Sequence, residues 1–248
     1  MIYLKSKREI SLMRQAGHIV ALAHEEIRKA IEPGVTTLAL DTIAEKIIRE
    51  NGGIPAFKGY GGFPGSICAS VNEEVVHGIP SERKLKNGDI VSIDIGVNLN
   101  GYFADAAKTH PVGHVDEKAL KLIEVTKQSF YEGIKFCEVG HRLSDIGQAI
   151  QSYAQANGYG VVRDLVGHGI GTALHEDPQV PNYGPGGKGP RIQVGMVLAI
   201  EPMINYGTYR VKTLSDDWTV VTLDGSLSAH YEHTVAITED GIELLTVL

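Results

Sequence analysis

The sequence predicts an α+β fold made of two similar halves, and three observations predict it. Helical periodicities come in pairs, and each pair is followed by short apolar runs. The marks that punctuate the first half recur about a hundred residues later. In both halves an apolar run ends on a carboxylate at the equivalent place.

Apolar residues at Ile10, Met13, Gly17, Val20, His24, Ile27 and Ile31 step by three and four, which predicts an amphipathic helix from Arg8 to Ile31. Pro33-Gly34 stops it. A second helix is predicted from Thr37 to Glu50, closed by Asn51-Gly52-Gly53. Ser66–Val71, Ile90–Val97 and Tyr102–Val112 then read as strands. The pattern restarts at Asp116, a cap for a helix through Phe136. Ser144 is the predicted cap of a fourth helix through Ala156, ended by Asn157-Gly158. Further strand-like runs are Gly160–Val166, Met196–Asn205, Trp218–Leu223 and His230–Thr238, and Pro181–Pro190 reads as an exposed loop.

Glu32-Pro33-Gly34 aligns with Glu138-Val139-Gly140, and Asn51-Gly52 with Asn157-Gly158, both at an offset of 106. The run from Gly88 to Asp94 aligns with the run from Gly195 to Glu201 at 107. Chance among 29 glycines is the competing explanation, and the shared terminal carboxylate argues against it. One domain over residues 1–248 is expected, with internal halves of roughly 1–113 and 114–248.

Composition bounds the function. The chain is 43% hydrophobic with a net charge of −7 and no dense Lys/Arg stretch, which argues against a phosphate-tracking nucleic-acid surface. Two cysteines, Cys68 and Cys137, cannot build a disulfide framework or a four-thiolate zinc site. Charged residues interrupt the N-terminal apolar residues, so no signal or membrane-spanning segment is expected, and the reading is cytoplasmic.

Asp94 follows Ile90-Val91-Ser92-Ile93, and Glu201 follows Val197-Leu198-Ala199-Ile200. A carboxylate at the end of a core strand is unfavourable unless a cation or donor compensates it. Asp94 and Asp105 flank the turn signal Asn98-Leu99-Asn100-Gly101. If Leu99-Asn100 is the loop, the two residues face each other; if Asn100-Gly101 is, Asp105 faces Gly96. Both registers put the carboxylates on one face, roughly 5 to 8 Å apart between Cβ atoms. Two ionised groups that close repel unless a proton or metal lies between them. Glu232 heads the run Tyr231–Ile237, and His168 sits among glycines in Gly167-His168-Gly169-Ile170-Gly171. Singly, each reads as a solvated strand end or a loop histidine. Together, four carboxylates balance two divalent cations, and oxygen-rich ligation without thiolate suits Mn(II), Fe(II), Co(II) or Mg(II). A water between two such ions ionises near neutral pH.

The order and context of Asp94, Asp105, His168, Glu201 and Glu232 resemble type I methionine aminopeptidases, of the pita-bread metallopeptidase fold. The likeness spans the chain and is most specific at Val76-His77-Gly78-Ile79-Pro80, Gly88–Asp94, Gly167–Gly171, His175–Val180 and Ala199-Ile200-Glu201-Pro202. It implies helices outside an antiparallel sheet, and removal of the initiator methionine from nascent polypeptides when the second residue is small, through a metal-bridging hydroxide. Two Fe(II), Mn(II) or Co(II) ions are implied: Asp105 and Glu232 bridge them, Asp94 chelates one, and His168 and Glu201 complete the other. Glu201 is also the implied general base. His77 is placed near the scissile nitrogen and His175 at the carbonyl oxygen; outside the resemblance, both read as surface or core-satisfied imidazoles.

For the methionine side chain the resemblance points to Tyr60, Phe63, Cys68 and Trp218, with Phe57 and Leu174 nearby. Many bacterial relatives carry Cys, Tyr and Phe where this chain has Phe57, Phe63 and Leu174. A monovalent cation is implied near Asn72 and Ser228. The implied partners are nascent peptide N-termini and the ribosome, with no membrane, no nucleic-acid motif and a monomeric state. His24-Glu25-Glu26-Ile27-Arg28 and His175-Glu176-Asp177-Pro178-Gln179 each lack the second histidine of a zinc-protease helix. The competing functions are an X-Pro exopeptidase of the same fold and a non-catalytic peptide- or ribosome-binding relative. The latter tends to lose ligands, and all five are present.

Overall fold

In the computed structural model, which describes residues 1–248, helix α1 (Lys7–Ala30) starts at a capping box. The Ser6 hydroxyl accepts from Glu9 N, and the Glu9 carboxylate accepts from Ser6 N at 2.7 Å. Helix α2 (Thr37–Glu50) is capped by the Thr36 hydroxyl. There follow β1 (Ile54–Pro55), a 3₁₀ turn at Tyr60–Gly62, β2 (Cys68–Val71), β3 (Glu74–Val76), β4 (Ile90–Leu99) and β5 (Tyr102–Pro111). The second half opens with α3 (Glu117–Ile134), capped by Asp116, and α4 (Leu143–Ala156). Its strands are β6 (Gly160–Val161), β7 (Gly167–Gly169), β8 (Glu176–Val180), β9 (Val197–Ile200), β10 (Met203–Asn205) and β11 (Val211–Thr213). They continue with β12 (Val220–Thr222), β13 (Ser228–His230), β14 (His233–Thr238) and β15 (Gly241–Leu244). No helix is long and apolar enough to cross a membrane.

Every strand pair is antiparallel, and two sheets carry the architecture. In the first, β4 pairs with β1 and β2 on one side and β5 on the other. The second runs β15-β14-β9-β7-β8. Alternation decides what each face does. Ile93, Ile95 and Val97 of β4, with Ala104 and Ala106 of β5, are fully buried against Val20, Ile27, Leu40 and Ile48 of α1 and α2. Asp94 and Asp105 therefore point to the opposite face. In the second half Leu198, Ile200, Val235 and Ile237 pack against Phe130, Ile146 and Ile150 of α3 and α4, which leaves Ala199 and Thr234 facing inward.

The β4–β5 hairpin adopts the second of the two registers open from the sequence: Gly96 pairs with Asp105 and Leu99 with Tyr102. Asn100 and Gly101 form the two-residue loop with φ of +54° and +84°, the handedness that matches strand twist.

The structure differs from the sequence expectations at informative places. Met196–Asn205 is not one strand: β9 and β10 lie in different sheets, and the chain crosses between them at Glu201-Pro202, where proline has no N–H to extend the ladder. His230–Thr238 divides likewise at Tyr231-Glu232. Gly160–Val166 shrinks to β6, whereas the glycine-flanked His168 lies on a short strand, β7, held by pairing to β8 and β9. Helix α3 ends two residues before Phe136. Helix α4 begins at Leu143, so Ser144 is inside it. The Asp145 carboxylate accepts from Arg142 N at 2.8 Å, while the Ser144 hydroxyl is engaged by Lys188 of the returning loop. In that loop Asn182 is fully buried rather than exposed.

Candidate metal centre and substrate cavity

The two sheets meet along a seam, and the candidate ligands sit on it. Glu232 N donates to Ala107 O at 2.8 Å, and the Thr234 hydroxyl donates to Asp105 O and accepts from Asp105 N. A row of residues, His168–Ala199–Thr234, thus crosses three strands of the second sheet and ends at Asp105 of the first. Another row, Cys68–Asp94–Ala107, crosses the first sheet and ends beside Glu232. Glu201 and Glu232 occupy the two breaks between strands, outside the ladders of the second sheet, and their side chains line the space between the sheets.

Donor atoms of Asp105, His168 and Glu232 lie within 4.8 Å of one another. His168 Nε2 is 3.6 Å from Glu201 Oε1 and 3.8 Å from Asp105 Oδ2. Its Nδ1 lies 2.9 Å from the Gly169 carbonyl, which can only accept, so Nδ1 carries the proton and Nε2 presents a lone pair to the carboxylates. Asp94 Oδ1 is buried with no partner.

Burial pushes Asp105 up to about 7. Asp94, Glu201 and Glu232 are raised well above the usual carboxylate range, first by burial and then by the neighbouring charges. Burial also lowers His168, His77 and His175, so the imidazoles are neutral. Four crowded carboxylates, an orphaned buried oxygen and a lone pair aimed at them fit divalent cations. Such ions would let all four acids ionise together near neutral pH.

One cavity holds both this cluster and the residues expected to bind substrate. Its walls are Phe57, Tyr60, Phe63, Cys68, Leu174 and Trp218 on the apolar side, with His77, His175 and the five candidate ligands. Cys68 is the cross-strand neighbour of Asp94, so pocket and cluster share a strand pair. Burial and then Asp94 push its thiol up, so it remains an uncharged wall. Phe63 meets Trp218 edge-on, with ring centroids 5.1 Å apart. At the exposed mouth the Tyr60 hydroxyl lies 2.8 Å from His175 Nδ1. The His175 ring centroid is 4.2 Å from that of His168. His77 has φ +59° and stands edge-on to Trp218.

Asn72 and Ser228 lie outside this cavity. They touch through Ser228 N and Asn72 O at 2.9 Å, and the Asn72 side chain is spent on Asp89 and Ile90 N. Sequence reasoning missed three residues around the cluster. His230 is buried, its Nε2 is 3.5 Å from Glu201 Oε2 with no hydrogen-bond partner, and burial lowers it to about 3. Asn182 Nδ2 donates to Glu201 O, and Thr234 holds Asp105. The signal for His230 and Thr234 was their alternation with Glu232 along one run; nothing local marks Asn182.

The description "Metallopeptidase family M24" belongs to the family profile that matches residues 11–239. The chain is 59% identical over 246 residues to methionine aminopeptidase 1 of Bacillus subtilis, covering 99% of each. It is 59% identical over 248 residues to a methionine aminopeptidase of Clostridium acetobutylicum, covering 100% of this chain and 99% of the other. Among solved structures, methionine aminopeptidase of Thermotoga maritima superposes with a TM-score of 0.98 at 48% identity over all of both chains. A prolidase of Pyrococcus furiosus shares the pita-bread fold at TM-score 0.77 and 25% identity, and this chain spans 65% of it. The chain belongs to metallopeptidase family M24 and, within it, to the methionine aminopeptidases.

Proposed function

We propose that this protein removes the initiator methionine from nascent polypeptides whose second residue is small. The observation that carries the reading is the meeting, in one cavity, of Asp94, Asp105, His168, Glu201 and Glu232 with an apolar slot lined by Phe63, Cys68 and Trp218. Asp94, Asp105, His168, Glu201 and Glu232 would together hold two divalent ions. Such ions, Fe(II), Mn(II) or Co(II), polarise a peptide carbonyl and let a water ionise near neutral pH.

The chain's own groups do the rest. The apolar slot takes the thioether side chain, which aromatic edges and a thiol accommodate well. Asp94, on the cavity wall beside Cys68, would meet the free α-amine of the substrate and so select an N-terminus over an internal peptide bond. Glu201, at the edge of the cluster inside the cavity, takes a proton from the attacking water and hands it to the leaving nitrogen. In the tautomer in which the Tyr60 hydroxyl donates to His175 Nδ1, the Nε2–H is free to meet the carbonyl oxygen as charge builds on it. His77, on the cavity wall beside Trp218, would serve the scissile nitrogen. The reading also takes in a monovalent cation beside Asn72 and Ser228, supported by their adjacency. It places a monomeric enzyme in the cytoplasm, meeting chains as they leave the ribosome; two buried free thiols suit a reducing compartment.

The test is an assay of the full chain, loaded in turn with each metal, on Met-Ala-Ser and Leu-Pro-Ala. Met-Ala-Ser should be cleaved with kcat/KM at least about a hundredfold higher. Faster cleavage of Leu-Pro-Ala would assign the site to an X-Pro exopeptidase, and no cleavage of either would leave a binding protein.

A further inference from the structure

The stretch His175-Glu176-Asp177-Pro178-Gln179 sets two titratable groups side by side, and only His175 faces the cavity. Glu176 turns the other way and is nearly enclosed. Its Oε2 lies 2.6 Å from Lys5 Nζ, and the two side chains are only 8% and 6% exposed. Its Oε1 accepts from Thr172 N at 2.8 Å, Ala173 N at 3.2 Å and the Thr172 hydroxyl at 3.4 Å. One carboxylate therefore gathers the whole turn from Thr172 to Glu176, which carries the pocket wall Leu174 and then His175.

Lys5 is itself anchored. Its ammonium also donates to Tyr3 O at 3.1 Å, its backbone N donates to Gly195 O at 2.6 Å, and Ser6 beside it caps α1. The turn is tied on its other side by Phe103 N, which donates to Gly171 O at 2.8 Å from the strand that carries Asp105. Space is tight: a Cβ on Gly171 would lie 2.5 Å from Lys5 Cε and 2.7 Å from Glu176 Oε1. A buried, bidirectionally bonded ion pair of this kind defines one position for the backbone it holds.

We infer that Lys5, through Glu176, is a positioning residue that sets the His175 imidazole at the height where it meets the carbonyl oxygen. The inference rests on the proposed role of His175. Removing the charge at Lys5 leaves the Glu176 carboxylate buried beside no cation, so the turn moves to hydrate it. A displacement of His175 by a fraction of an ångström weakens an interaction made in the transition state while the methionine slot, built on other elements, still binds.

The experiment uses the metal-loaded full chain and the variants Lys5→Met, Glu176→Gln, His175→Ala and Lys5→Met/His175→Ala. Lys5→Met should lower kcat on Met-Ala-Ser about tenfold and keep KM within about twofold. A methionine-derived phosphonate, which mimics the tetrahedral oxyanion, should lose the same factor in affinity, whereas methionine itself binds unchanged. The double variant should lose no more than His175→Ala alone, because the two act through one group. Should Lys5→Met fail to fold, Glu176→Gln, which keeps an acceptor for the Thr172 and Ala173 N–H groups, carries the same test. A lower Tm with unchanged kcat and phosphonate affinity would overturn the inference and leave Lys5 a structural strut. Full turnover in His175→Ala would overturn the role of His175 and this inference with it. Loss in His175→Ala with none in Lys5→Met or Glu176→Gln would overturn the inference alone.

Discussion

Asp94, Asp105, Glu201 and Glu232 each occupy a place where an isolated carboxylate is unfavourable, and together they define when the fold is stable. Burial raises all four above their ordinary values, Asp105 to about 7, and neighbouring carboxylates add to the rise at Asp94, Glu201 and Glu232. A raised acid contributes stability that is complete below its unfolded value, 3.8 for aspartate, and is lost as pH rises through the folded one. The chelated protein should therefore melt at a lower Tm at about pH 8 than at about pH 6, and divalent metal should largely abolish that fall. Scanning calorimetry with and without chelator reads it. A Tm of the chelated protein that climbs across that range would mean the carboxylates are satisfied without a cation.

Among the elements, the helices follow their sequence signals closely because their signals are local. Capping by Ser6 and Asp116, the stops after Glu50 and Ala156, and the stripe of apolar residues in α1 all lie within a few residues of what they control. Helix α4 shows the limit. Its predicted cap, Ser144, is drawn off by Lys188, a residue distant in sequence, and Asp145 takes over the Arg142 N–H and also the Gly187 N–H at 2.5 Å. Asp145→Ala should lower the unfolding free energy by about 1 kcal/mol, as loss of a cap does. Urea melts measure this, and an unchanged midpoint with unchanged slope would refute the assignment. The strands carry weaker local signals, so a continuous apolar run such as Met196–Asn205 conceals a change of sheet at Glu201-Pro202.

In the whole molecule the cluster joins what the chain keeps far apart. Asp94 and Asp105 come from the sheet under α1 and α2, and His168, Glu201 and Glu232 from the segments under α3 and α4. The backbone link across the seam is short, chiefly Ala107 with Glu232 and Thr234 with Asp105. Metal binding should hence act as a staple between the halves. Hydrogen exchange should quicken in β5 and β14 together when metal is removed, with α1 to α4 little changed. Quickening in one of these strands alone would show that the seam holds without the ions.

The four helices, the hairpin, and the acids and histidine that stand out as candidate ligands are legible in the residue string, whereas the pita-bread class follows from the resemblance of motifs spread along the whole chain. The local features are written in neighbouring residues: a period, a cap, a turn, or a charge at the end of an apolar run. The hairpin register, the strand breaks that aim Glu201 and Glu232 inward, and the enlistment of His230, Asn182 and Thr234 were settled by packing in three dimensions. Those depend on which distant backbone supplies a hydrogen bond or an opposing face, and that choice is made by packing the two halves against each other rather than by any local pattern.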